Sequence, residues 1–155
     1  MNNAHAGDVI VVHPGTYHES VAIKKNFLTI RGAGDSASGT VLKPKAGSKR
    51  CGHSSAGFCV IGKKTAAGVV PVKGTRLSGF LVKGFHGFGF IAQFAKNTIV
   101  MHNAFVNNSD YGAAVVHVHA NQVPVQPGQR GSGGGDLRGR FTERERHRGR
   151  QRGHG

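Results

Sequence analysis

Paired-carboxylate hydrolysis or a calcium site in the first 129 residues would have to draw on four carboxylates, Asp8, Glu19, Asp35 and Asp110. Acid–base hydrolysis needs two carboxyls held together, and a calcium site needs several oxygen ligands from one loop. No two of the four share such a motif. Asp8 and Asp35 each follow glycine in a turn context, and Glu19 and Asp110 read as structural in the same way, so no catalytic residue is assigned.

The histidines and cysteines offer other chemistry. His117 and His119 share a face if their segment is a strand, and His13 and His18 flank the corner at Pro14-Gly15. Neither pair has a third ligand beside it, and no metal is expected. Cys51 and Cys59 bracket a short loop that could close as a disulfide in an oxidising compartment, the alternative being two buried thiols. A zinc site recruiting His53 would lack its fourth ligand. Residues 32–39 imitate a phosphate loop but lack the Lys-Ser/Thr pair and a following helix pattern. They read as a turn, and no cofactor is expected.

The elements that must position these groups are short. Val9 to Val12 is a β-branched run ended by Pro14-Gly15. Val21 and Ile23 then alternate before a second run, Phe27-Leu28-Thr29-Ile30. Between Lys43 and Gly74 the pattern loosens into long loops around one strand near Phe58-Cys59-Val60-Ile61.

From Thr75 the chain reads TRLSGFLVKGFHGFGF, and from Thr98 it reads TIVMHNAFVNNSDYGA, an offset of twenty-three residues. Leu77 falls on Val100, Phe80 on Asn103, Gly84 on Asn107 and Phe88 on Tyr111. A period of that size predicts stacked turns of a solenoid, each made of short strands that bury their inward residues only against the next turn. The expected inward set is Val9, Val11, Val21, Ile23, Leu28, Ile30, Val41, Val60, Leu77, Phe80, Val82, Phe88, Phe90, Ile99, Phe105 and Tyr111. Asn103 and Asn107 take the rung turns, where asparagine tolerates left-handed backbone and can bond to the next rung.

The wording GDVIVVHPGTYHESVAI at residues 7–23, followed by Thr29-Ile30-Arg31-Gly32-Ala33-Gly34, resembles secreted right-handed parallel β-helix repeat proteins of the pectin-lyase-like superfamily. The resemblance spans roughly residues 6 to 112, with the specific wording confined to residues 7–34. It implies an all-β fold, a right-handed parallel β-helix of about four to five rungs over residues 1–112. It also implies a secreted or periplasmic bacterial protein, and it favours the disulfide, since such proteins often carry an early cysteine pair. A leader and a capping helix would normally precede the first rung. Met1 to Ala6 supplies neither, so the chain reads as a fragment truncated at both ends.

Charge divides the chain. Before residue 130 there are ten Lys and three Arg against four acids, whereas residues 130–155 hold eight Arg, no Lys and three acids. The basic residues of the first part are spread among turns, which weakens any inference of a polyanion partner from the net charge of +14. Residues 113–155 form a Gly/Arg-rich tail that cannot build a core and is expected to be disordered. The preferred reading is that the reading frame is lost near position 113. An authentic disordered tail and an RNA-binding tail are the alternatives.

The functional expectation is a non-catalytic carbohydrate-binding or structural module with a polysaccharide as partner. Tyr17, Phe85 and Phe88 could stack on sugar rings, although each reads more readily as core. The first alternative is a fragment of a polysaccharide lyase or esterase. The second is nucleic-acid binding through the Arg-rich tail. No run reaches membrane-spanning length, and open solenoid ends would favour self-association.

Overall fold

Short β-branched and aromatic runs punctuated by Gly, Pro and Asn can form only brief extended pieces. The computed structural model, which describes residues 3–47 and 55–116, consists of strands with no helix among the described residues. A first pass of chain supplies β1 (Val9–Val11), β2 (Gly15–His18) and β3 (Val21–Ile23). A second supplies β4 (Thr29–Arg31), β5 (Thr40–Lys43) and β6 (Ala56–Ile61). There follow a hairpin of β7 (Lys63–Thr65) and β8 (Gly68–Val70) and a two-residue strand, β9 (Val72–Lys73). The third pass is β10 (Arg76–Ser78), β11 (Phe80–Lys83) and β12 (Phe88–Gln93), then β13 (Ala95–Lys96). The fourth is β14 (Ile99–Met101), β15 (Ala104–Val106) and β16 (Tyr111–Val116).

Three four-stranded sheets result, ordered β1-β4-β10-β14, β2-β5-β11-β15 and β3-β6-β12-β16, and all their pairings are parallel. The repeat read from the sequence is the register observed between the last two passes: Leu77 pairs with Val100, Leu81 with Ala104 and Phe88 with Tyr111. The third sheet runs on to Val116, past the boundary at residue 112.

Register stacks like on like inside. Ile10, Ile30, Leu77 and Val100 form one column of the first sheet. Tyr17, Leu42, Val82 and Phe105 do the same in the second. Val21, Phe58, Phe90 and Ala113 do so in the third, beside Ile23, Val60, Ala92 and Val115. All belong to or pack against one apolar core, so each short strand is held by the passes above and below it.

The inward set needs correction at six positions, one of them Val41, which is buried but pairs with Thr16 and Leu81 on the face opposite the inward Leu42. Val9 and Val11 are 59% and 62% exposed, because pairing β1 with β4 puts Ile10 over the buried Ile30 and leaves Val9 over Thr29 and Val11 over Arg31. An unbroken β-branched run carries no alternation from which to choose a face. Ile99 lies beside Arg76 and is half-buried. Phe88 and Tyr111 stand outside the core because strand alternation breaks at the glycines that follow them: the Cβ directions of Gly89 and Gly112 point at the Phe105 side chain, and Phe90 and Ala113 face inward as well, which leaves Phe88 to pack with Ala56 and Cys59 on the outer face.

Left-handed backbone repeats in register with the strands. Two residues ahead of the first-sheet strands, Gly7, Phe27, Gly74 and Asn97 have φ of 95°, 59°, 68° and 53°. Gly79 and His102 form a second such position, and Gly84 and Asn107 a third. Only Gly takes this conformation without a steric cost, with Asn next best, so Phe27 and His102 are held there by the surrounding pairings.

A glycine column, Gly57, Gly89 and Gly112, lines the third sheet where core rings approach. A Cβ on Gly89 would lie 2.5 Å from both the Gly112 carbonyl oxygen and the Phe105 ring. Neither can retreat, because one is ladder backbone and the other is core. Gly89→Ala is therefore expected to destabilise by about 1–3 kcal/mol in urea unfolding. Gly47→Ala, with nothing near its Cβ but a φ of 73°, should cost no more than about 1–2 kcal/mol.

Candidate functional site

The outer face of the third sheet is apolar. Ala22, Cys59, Ile91 and Ala114 stack along it in register. Ala56 and Cys59 are buried there, with Ile61 and Phe88 packed beside them. At its edge the Phe88 and Tyr111 rings are stacked, with centroids 5.8 Å apart and planes 13° from parallel. Tyr111 is 48% exposed. The pair arises because a twenty-three-residue register places one aromatic directly over the next. Ala56 and Cys59 on this face are fully buried, so its accessible apolar part is the edge that carries the Phe88–Tyr111 pair.

The three aromatics named from sequence fall in three environments. Phe85 is fully buried in the core and cannot meet a ligand, which removes it from the set. It sits beside the Gly57 position, where the absent side chain makes room for its ring. Tyr17 lies on β2, the edge strand of the second sheet, packed against the core, and its hydroxyl donates to the His13 carbonyl at 3.2 Å. Only Phe88 is placed on an outer face. Tyr111, assigned to the core from its pattern, is the partner that sequence reasoning missed, although its match to Phe88 in the repeat was the available signal.

The asparagines divide by role. Asn103 is buried between the last two passes. Its Oδ1 accepts the Phe80 N–H at 3.0 Å, and its Nδ2 donates to the Leu77 and Met101 carbonyls at 3.0 and 2.9 Å. Asn107 supplies the left-handed turn but is exposed. The neighbouring Asn108 makes the second buried bridge, accepting from Phe85 N–H at 3.1 Å and donating to the Val82 carbonyl at 3.2 Å. Thr40 does comparable work one sheet corner earlier, accepting from Ala33 N–H and donating to the His13 carbonyl. These groups satisfy buried backbone where the chain turns between sheets.

Cys59 is disulfide-bonded and buried under the outer face. Cys51 lies outside the described residues, as do His53, His117 and His119. His18 Nδ1 is 3.4 Å from the Pro44 carbonyl, and no cluster of three His, Cys, Asp or Glu converges among the described residues. The four carboxylates are spread over separate turns: Asp8 precedes β1, Glu19 lies between β2 and β3, Asp35 between β4 and β5, and Asp110 before β16.

A cavity of about 670 Å³ opens beneath the first pass, lined by inward residues of the first two passes including Ile10, Tyr17, Val21, Leu42 and Phe58, with Glu19 and Lys24 among its polar groups. No family model, curated protein or solved structure matches this chain. Among the described residues no helix is long and apolar enough to cross a membrane.

Proposed function

We propose that this chain is a right-handed parallel β-helix of the pectin-lyase-like kind, from a secreted bacterial protein, and that it is a non-catalytic module binding polysaccharide on the outer face of its third sheet. The constant order in which four passes of chain visit three parallel sheets supports the solenoid, together with the wording of residues 7–34. The observation that carries the ligand assignment is the Phe88–Tyr111 stack, because it fixes a 48% exposed aromatic ring in register on the sheet, where its remaining apolar area can meet the apolar face of a pyranose. The separation of the four carboxylates favours binding over hydrolysis, which requires paired acids.

Affinity electrophoresis through gels containing neutral or acidic polysaccharides tests the assignment. Tyr111→Ala is expected to weaken retardation about tenfold, the value of an aromatic stack together with its buried area. Its melting temperature should stay within about 4 °C of the parent, as for a half-exposed side chain. Retardation that survives both Tyr111→Ala and Phe88→Ala would remove this face as the binding surface.

A further inference from the structure

The corner where the chain turns from the third sheet back to the first combines charge with exposed apolar side chains. Lys24 lies there on the first pass beside Lys25, whose ammonium donates to the Ala4 carbonyl, and Lys73 and Lys96 are paired in register on the second and third. The Phe27 N–H donates to the Lys73 carbonyl at 2.7 Å, so these turns are stacked directly on one another. Lys63 and Lys64 extend the same corner outwards on the β7–β8 hairpin, which is inserted between β6 and β9 and exposed along its whole length. The neighbouring carboxylate, Asp8, is engaged by His5, whose backbone N–H donates to Oδ2 at 2.7 Å. Glu19, Asp35 and Asp110 belong to other turns.

Among these lysines stand Phe27 at 56% exposure, Val69 at 48% and Val70 at 56%, with Ala66 and Ala67 at the exposed hairpin tip. Phe27 also occupies a left-handed position that Gly or Asn fills in the other three passes, a cost a bulky residue bears only when something holds it there. Its ring lies against Gly74, where a Cβ would come within 2.5 Å of it, and still leaves more than half of the residue to solvent.

We propose that this corner docks on an anionic lipid bilayer, with the hairpin tip and Phe27 entering the headgroup–acyl boundary and the lysines meeting lipid phosphates. A polyanionic glycan or nucleic acid would use the cations but gain nothing from exposed valines and alanines on a projecting hairpin. A bilayer uses both, because its surface potential attracts lysines and its boundary region takes apolar side chains out of water. The surface is distinct from the Phe88–Tyr111 face, so each can fail without the other.

The chain contains no tryptophan, so Ala67→Trp introduces a single reporter at the hairpin tip of the full-length protein. With vesicles of phosphatidylcholine and phosphatidylglycerol in equal parts, its emission should shift to the blue and be quenched by brominated acyl chains. Phosphatidylcholine vesicles alone should produce neither effect. In co-sedimentation, Lys63→Gln with Lys64→Gln should weaken binding to the anionic vesicles about thirtyfold, near the contribution of two surface lysines. Val69→Ser with Val70→Ser should weaken it about tenfold. Circular dichroism should show all these exposed variants folded as the parent. Unshifted Ala67→Trp emission on vesicles that do sediment the protein would overturn the proposal, since the Arg-rich end would then be making the contact. So would vesicle binding indifferent to the valine pair alongside tight binding of heparin or poly-uridine, which would reassign the corner to a soluble polyanion.

Discussion

Replacing Phe90 with alanine is expected to destabilise the protein by about 3–5 kcal/mol, the largest effect of any single truncation in the core. Phe90 is fully buried, stacked in register between Phe58 below and Ala113 above, and flanked by the glycine column that keeps the third sheet close. Its removal leaves a void that the ladder backbone on either side cannot close, so both the lost transfer energy and the lost packing are felt. Phe58 touches the same column and meets Phe80 edge-on at 4.9 Å, but it also lines the open cavity. Phe58→Ala is therefore expected to cost less, because its surroundings already border an open space. Urea denaturation followed by far-UV circular dichroism gives both values. An equal or smaller loss for Phe90→Ala would contradict the stacked core, which makes the third pass the better-enclosed layer.

Asn103→Ala is expected to cost about 2–4 kcal/mol and to lower the melting temperature by roughly 10–20 °C. Its amide satisfies three backbone groups at once, and two of them, the Phe80 N–H and the Leu77 carbonyl, sit at buried bonds between successive passes. Truncation leaves these unpaired where water cannot replace the lost partner, and the penalty of each unsatisfied group exceeds the net value of the bond it made. Asn103→Asp should be at least as harmful, because a carboxylate cannot donate to the two carbonyls that Nδ2 now serves. Asn107→Gly, in contrast, should be neutral within about 0.5 kcal/mol. Asn107 contributes a left-handed turn that glycine performs at Gly84 in the preceding pass. Differential scanning calorimetry of the three variants separates the bridging role from the turn role, and similar losses for Asn103→Ala and Asn107→Gly would refute the division.

The same contrast shows what could be read before any coordinates. The twenty-three-residue match of Leu77 to Val100 and Phe88 to Tyr111 was legible, because a parallel ladder repeats its chemistry at the spacing of its register. Which of three neighbouring asparagines faces inward was not legible. Asn103, Asn107 and Asn108 are all turn formers, and only the path of the chain between sheets turns two side chains into the core and one towards water. Phe85 was open to either reading for a similar reason: a phenylalanine between Gly84 and His86 carries no periodicity, and its burial follows from the space left at Gly57 on the pass beneath.

Turn residues, the internal repeat and the wording of residues 7–34 by themselves pointed to short strands in repeating passes, and the described residues are strands whose three main sheets are parallel, since two consecutive passes align residue for residue. The tertiary structure alone decided which side of each strand faces inward, placing Ile10 rather than Val9 or Val11 in the core and setting Tyr111 outside it. A three-residue strand is too brief for alternation to specify a face, so its orientation is imposed by the strand it pairs with, a residue partner twenty or more positions away.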